Sequence, residues 1–284
     1  MIKRGSYNES NLFILNRMPE LTLYQGDCLK VMKELPAQSV DLIICDLPYG
    51  CLSTGFRGNP IARFINGQSS STIITQGCQW DVKINLEEFW KEVKRIRKNE
   101  HTPCIHFCTT KFGYELIQSN PTEFRYDLVW NKQVGVSFLS ANKMPMRSHE
   151  MIYVFSKTGT FYNRVDITGD LKKWQRKRDN RSGGCYGGAK RSDTDGGDGT
   201  RCVLSVIDMK KCVKLKQAHP TEKPNELYKW LIERYCPVGG TILDPTFGSG
   251  NSVFTAYALG RDAIGIEMDE EFFNKATNRL QDLP

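Results

Sequence analysis

The sequence has no long hydrophobic run. Its longest largely apolar stretches, residues 40–45, interrupted by Asp41, and 152–155, are strand-sized and fall well below the roughly 18 residues that a membrane-spanning helix needs. No membrane partner is therefore expected. Ten cysteines in 284 residues are too dilute for a small disulfide scaffold, and no signal-peptide pattern opens the chain, so the expected setting is intracellular and reducing, cytoplasmic or nucleoid/nuclear. A strong excess of either charge is also missing. Lys and Arg number 39 against 32 Asp and Glu, a formal surplus of +7; this points to a nucleic-acid partner only if the charge is clustered. There is no internal repeat. What the chain does have is 39% apolar and 11% aromatic residues, enough to build a core in one large domain or two modest ones.

Strand and helix patterns alternate. A short strand at 23–27 leads into a helix at 28–35 whose Leu29, Met32 and Leu35 recur at helical spacing, and Pro36 stops it. Residues 39–45 read as a strand buried on both faces of a parallel sheet. Further strands are expected at 104–108, 126–130, 151–155, 241–243 and 263–267. The expected fold is α/β, a Rossmann-like, doubly wound, mostly parallel sheet. Two stretches break the rhythm. Residues 51–77 are rich in Ser, Thr, Gly and Asn and read as a mobile insertion. Residues 170–216 are first basic, then glycine-rich, and are also expected to be mobile. They hold 13 Lys and Arg against 6 Asp and Glu, leaving the rest of the chain balanced at 26 of each. The implied organisation is 1–169, 170–216 and 217–284.

In open α/β sheets ligands sit at the carboxyl ends of strands, and two such ends are unusual. Asp244-Pro245-Thr246-Phe247-Gly248-Ser249-Gly250-Asn251 ends a strand in an acid and enters a helix through a Gly-x-Gly turn. The helix N-terminus there can offer unpaired N–H groups to an anion. Glu267 ends the next strand, where nucleoside-binding units keep a carboxylate for ribose hydroxyls; a P-loop is excluded because no Gly-Lys-Ser/Thr follows. Taken alone, the turn equally suits an ordinary tight connection. The other end is Asp46-Leu47-Pro48-Tyr49. The Asp46 carboxylate and the Leu47 carbonyl can accept both hydrogens of an exocyclic amine, and Tyr49 can stack on the ring bearing it. Taken alone, this segment equally suits a helix N-cap and turn.

Together these segments resemble the β class of amino-group DNA methyltransferases. Asp46-Leu47-Pro48-Tyr49-Gly50 is similar to their Asp-Pro-Pro-Tyr catalytic motif, with Leu47 where Pro is commoner. Residues 244–250 resemble their S-adenosylmethionine motif, and His219-Pro220-Thr221-Glu222-Lys223-Pro224 resembles the segment preceding it. Catalytic motif first, cofactor motif last, is the circularly permuted order of that class, and the resemblance runs from about residue 21 to 280. It implies methyl transfer from S-adenosylmethionine, leaving S-adenosylhomocysteine, to the N6 amine of a flipped adenine in double-stranded DNA. It also implies catalytic roles for Asp46, Leu47, Pro48 and Tyr49. Cofactor contacts are implied at Asp27, Thr221, Lys223, Asp244, Pro245, Thr246, Phe247, Gly248, Ser249, Gly250, Asn251 and Glu267. The 170–216 region is where the permuted class keeps its target-recognition region, which puts Lys172, Lys173, Arg176, Lys177, Arg178, Arg181, Lys190 and Arg191 on the phosphate backbone. Relatives often form homodimers. Cytosine N4, adenine in RNA, and a silent nucleic-acid-binding module are the alternatives.

Two further signals are set aside. Cys104, His106 and Cys108 would share one strand face, but no second ligand pair stands at zinc-ribbon spacing, so no metal is expected. Lys91, Lys94, Arg95, Arg97 and Lys98 read as a solvated helix face with a secondary chance of touching phosphate. Trp80 reads either as a pocket aromatic or as packing.

Overall fold

The computed structural model describes residues 17–49, 63–65, 68–70, 83–136, 138, 141–168, 200–211 and 222–279. In chain order the elements are β1 (Leu21–Gln25), α1 (Cys28–Glu34), β2 (Leu42–Cys45), β3 (Arg63–Ile65), β4 (Gln68–Ser70), α2 (Leu86–Ile96), β5 (Cys104–Cys108), α3 (Thr110–Ser119), β6 (Phe124–Val136) and β7 (Arg147–Phe155). They continue with β8 (Ile167–Thr168), β9 (Thr200–Arg201), β10 (Val206–Asp208), α4 (Asn225–Tyr235), β11 (Thr241–Asp244), α5 (Asn251–Ala258), β12 (Asp262–Glu267) and α6 (Glu270–Arg279). Residues 1–163 and 205–284 form one unit and 164–204 a second. In the second, β8 and β9 pair antiparallel. Within the 51–77 stretch, β3 and β4 form an antiparallel pair, and the rest lies outside the described residues.

The main sheet has eight strands in the order β1-β12-β11-β2-β5-β7-β6-β10. The first five are parallel. β7 runs antiparallel to both β5 and β6, and β10 is parallel to β6. Side-chain alternation explains the two layers of helices. Leu42 and Ile44 point to one face, where they pack with Leu227 and Leu231 of α4 and Val253 of α5. Ile43 and Cys45 point to the other, against Met32 of α1, Phe89 and Val93 of α2, and Phe112 of α3. Burial on both faces is why β2 reads as a near-continuous apolar run.

Helix starts follow the capping residues. Asp27 accepts from the Leu29 amide at 2.8 Å, and Asn85 accepts from the amides of Glu87 and Glu88 at 3.0 and 3.3 Å. The cationic face of α2 works inside the fold. Arg95 donates to the carbonyls of Leu35 at 2.7 Å and Met32 at 2.5 Å, Arg97 pairs with Glu123 at 3.0 Å, and Lys98 pairs with Asp41 at 2.9 Å. Lys91 and Lys94 remain exposed.

β6 and β7 extend well past their expected ends. Their outer halves carry polar, exposed residues, so the hydrophobic period that marks a strand is lost there. β6 is also irregular: its register with β7 jumps between Asn131 and Val136, and Gln133 sits at φ 55°. Such a bulge re-aims neighbouring side chains.

Candidate active site

β11 is bonded to β12 on one side and β2 on the other. The chain leaves β11 through α5 to β12, and leaves β2 in the opposite direction toward β5, so a crevice opens where the carboxyl ends diverge. A cavity of about 490 Å³ occupies it. Its wall includes Asp27, Asp46, Leu47, Pro48 and Tyr49. It also includes Lys223, Pro245, Thr246, Phe247, Gly248, Ser249 and Glu267. Fifteen of the expected site residues are described by the structure, and those twelve line this one cavity.

The remaining three lie beneath it. Asp244 is buried and accepts from the Thr246 amide at 3.0 Å and the Ser252 hydroxyl at 2.5 Å. Burial pushes its carboxyl up to about 7, against the pull of those two bonds. Gly250 takes φ 81° as the residue before α5, a left-handed conformation in which a side chain would be strained. Asn251 opens α5 and braces it: its amide donates to Glu222 Oε1 at 2.9 Å and the Lys223 carbonyl at 2.7 Å, while Arg279 donates to its Oδ1 at 2.9 Å. Glu267 closes the far wall, accepting from the amides of Gly248 at 2.9 Å and Asp269 at 2.8 Å. Burial raises its carboxyl above the ordinary range.

At the other pole, Asp46 Oδ1 accepts from the Tyr49 hydroxyl at 2.8 Å, and Oδ2 accepts from the buried Lys223 ammonium. Lys223 Nζ also stands 3.4 Å from Glu150 Oε1 and 4.5 Å from the Phe107 ring centroid. Burial opposes its charge, but Asp46 and Glu150 outweigh that and raise its pKa. Tyr49 packs against Phe112, ring centroids 5.0 Å apart. Burial, then the Asp46 charge, hold its phenol well above the ordinary value. Leu47 is 1% exposed and packs in the core, which anchors the segment by its side chain where a second proline would do so by its ring.

A family model described as DNA methylase, covering N6 and N4 amino-methyltransferases, matches residues 40–278. The chain belongs to the N6/N4 DNA methylase family. It is 27% identical over 278 residues to the type II methyltransferase M.HinfI of Haemophilus influenzae, covering 92% of this chain and 68% of that protein. It is 24% identical to M.ScaI of Streptomyces caespitosus, covering 92% and 82%. Among solved structures, the PvuII DNA methyltransferase, titled cytosine-N4-specific, superposes with a TM-score of 0.58 at 15% identity, covering 93% of this chain and 89% of that one. The M1.HpyAVI–SAM complex gives 0.54 at 18%, covering 91% and 99%. At these identities the structural likeness establishes the Rossmann-like fold of this DNA methylase.

Other expected positions fall elsewhere. Thr221, Trp80 and the basic residues Lys172, Lys173, Arg176, Lys177, Arg178, Arg181, Lys190 and Arg191 lie outside the described residues. Strand alternation grouped Cys104, His106 and Cys108, but the structure gathers Cys45, Cys104 and His106, with donor atoms within 4.8 Å of one another. Cys108 lies against Gly113 of α3. The parallel pairing of β2 with β5 brings Cys45 in, a neighbour invisible to spacing along one strand. Rings of Phe89, Trp90 and Phe155 surround His106, and among the described residues no fourth donor joins the group. Sequence reasoning also missed Glu150 and Lys132, joined at 2.6 Å. No motif marks either residue, because their pairing follows from the register of β6 against β7.

Proposed function

We propose that this DNA methylase transfers a methyl group from S-adenosylmethionine to the N6 amine of an adenine turned out of double-stranded DNA. The observation that carries the reading is that the Asp46–Tyr49 segment and the Gly248–Ser249 turn line one cavity at the sheet's switch point. The cavity suits the cofactor on its own terms. Thr246 Oγ1 is buried without a hydrogen-bond partner in its wall, and two carboxylates, Asp27 and Glu267, face it from neighbouring strand ends. Glu267 would hold the ribose hydroxyls, Asp27 the adenosine end, and the 246–249 turn the methionine end, with Asp244 fixing that turn from below. S-adenosylmethionine, when bound, supplies an electrophilic methyl carbon on a sulfonium.

The adenine amine is a poor nucleophile because its lone pair is delocalised into the ring. Accepting its two N–H bonds at Asp46 and the Leu47 carbonyl favours a pyramidal nitrogen and stabilises the positive charge that grows there. Turning the base out costs a few kcal/mol, which stacking on Tyr49 helps offset, at about 1–3 kcal/mol. The basic surplus at 170–216 suits neutralisation of duplex phosphates. Adenine is preferred to cytosine because the first motif position is Asp46, as in the N6 enzymes the segment resembles, where Ser is more typical of N4 enzymes.

The test is incubation with labelled S-adenosylmethionine and mixed duplex DNA or RNA, followed by digestion and identification of the methylated nucleoside. N6-methyladenine from duplex DNA is expected. Label only in N4-methylcytosine or in RNA moves the assignment to that acceptor, and no label in any substrate leaves a silent binding module.

A further inference from the structure

Four charged side chains alternate in sign along a line leading into Asp46. Lys132 Nζ lies 2.6 Å from Glu150 Oε2, Glu150 Oε1 lies 3.4 Å from Lys223 Nζ, and Lys223 contacts Asp46 Oδ2. The side chains of Lys223, Lys132 and Glu150 are 3%, 13% and 15% exposed. A separate recess of about 130 Å³ beside Asp46 and Tyr49 is walled by Trp130, Lys132, Glu150 and Lys223, among others. The register pairs Trp130 with Glu150, which makes Lys132 the diagonal cross-strand neighbour of Glu150 on the same face; the bulge, with Gln133 at φ 55°, begins just beyond it. Buried ion pairs are weak evidence of stabilisation, because desolvation offsets most of the attraction. Stability is therefore a poor account of two such pairs in series at the edge of an active site.

The resting arrangement also poses a problem for the reaction. Asp46 already accepts from Tyr49 on Oδ1 and from Lys223 on Oδ2; each oxygen keeps a second lone pair for the incoming amine, but the Lys223 charge held against Oδ2 weakens that acceptor and repels the positive charge that grows on the amine nitrogen. Releasing Lys223 without another partner would leave a buried, uncompensated cation. Glu150 Oε1 is the alternative acceptor within reach, and Lys132 holds it in place.

We propose that Glu150 is a positioning residue that receives Lys223 when the substrate amine engages Asp46. Lys223 transfers its hydrogen bond from Asp46 Oδ2 to Glu150 Oε1 and stays protonated and paired throughout; no covalent bond changes and no proton leaves the lysine. Lys132 acts one step further back, fixing the Glu150 carboxylate. The inference rests on the amino-methyl transfer reading above and names how its acceptor group is made available.

The test uses single-turnover methyl transfer on long, unmethylated, mixed-sequence duplex DNA with enzyme in excess, so that product release does not mask the chemical step. Glu150→Gln keeps the shape but weakens the alternative acceptor. Its transfer rate at saturating DNA and cofactor is expected to fall at least about tenfold, with S-adenosylhomocysteine affinity close to wild type; the melting temperature falls as well, because Lys132 and Lys223 lose a buried anionic partner. Glu150→Asp should recover part of the rate, and Lys132→Met should show a smaller loss. In a Lys223→Met background, Glu150→Gln should cause no further loss, because the residue it serves is gone. A wild-type transfer rate in Glu150→Gln overturns the inference. So does a loss of cofactor affinity in step with the rate, or full additivity with Lys223→Met. An inactive wild type would instead remove the functional reading itself, and this inference with it.

Discussion

The Lys223 ammonium rests against the Asp46 carboxylate across 177 positions of sequence. Asp46 closes β2 in the first part of the chain, and Lys223 precedes α4 in the last. The contact exists because β2 and β11 are neighbours in the sheet and Asn251, at the start of α5, holds the Lys223 carbonyl at 2.7 Å. The chemistry of the site follows from what this pair permits.

Asp46→Ala removes the principal acceptor for the substrate amine and leaves the far wall of the cavity intact. Methyl transfer should fall by about 10²-fold or more, while S-adenosylhomocysteine binding measured by calorimetry stays within a few-fold of wild type. Undiminished turnover would take Asp46 out of the reaction.

Lys223→Met takes the shared cation from between two carboxylates. Glu150 keeps Lys132 at 2.6 Å, but Asp46 loses its ion-pair partner in a largely enclosed setting. Removing one member of a buried pair typically costs about 3–5 kcal/mol; the partial exposure of Asp46, 22% at its side chain, puts this case toward the lower end. Urea denaturation reads the change directly, and a loss below about 1 kcal/mol would mean that water already screens the pair.

Glu267→Gln keeps the shape of the far wall and removes its charge. Hydrogen bonds to charged groups contribute about 1.5–3 kcal/mol, so cofactor dissociation constants should rise by about 10- to 100-fold. Affinity for DNA, measured separately by fluorescence anisotropy, should not change. Equal weakening of both would assign Glu267 to the fold.

Asp244 sets a pH dependence of stability. Burial lifts its folded pKa to about 7, above its value of about 3.9 in an unfolded chain. The folded state therefore binds the proton more tightly. The stabilisation is fully present below about pH 4 and is lost as pH rises through about 7. Glu267, also raised, acts in the same direction. Asp244→Asn cannot ionise, so its melting temperature should gain on wild type between about pH 4 and pH 7 and level off above that. A constant difference across that range would show that Asp244 ionises normally.

Much of the candidate site was legible in the sequence because its residues sit at strand ends that local pattern marks. The apolar run of β2 stops at Asp46, the turn needs Gly250 at positive φ, and Glu267 follows the last buried residue of β12. The outer halves of β6 and β7 were not legible, since exposed polar residues carry no period. The phosphate role considered for Arg95 and Arg97 yields to internal bonds, because only packing shows which cations meet carbonyls and carboxylates.

The sequence alone determined the α/β alternation, the two motif-bearing strand ends, and the concentration of basic charge in residues 170–216, because backbone periodicity, turn chemistry and composition are properties of neighbouring residues. Tertiary structure decided that Lys223 serves Asp46, that Glu150 and Lys132 stand behind it, and that Cys45 joins Cys104 and His106. Each of these joins residues from different elements, and such partners are fixed by strand order and register, neither of which is encoded by spacing along the chain.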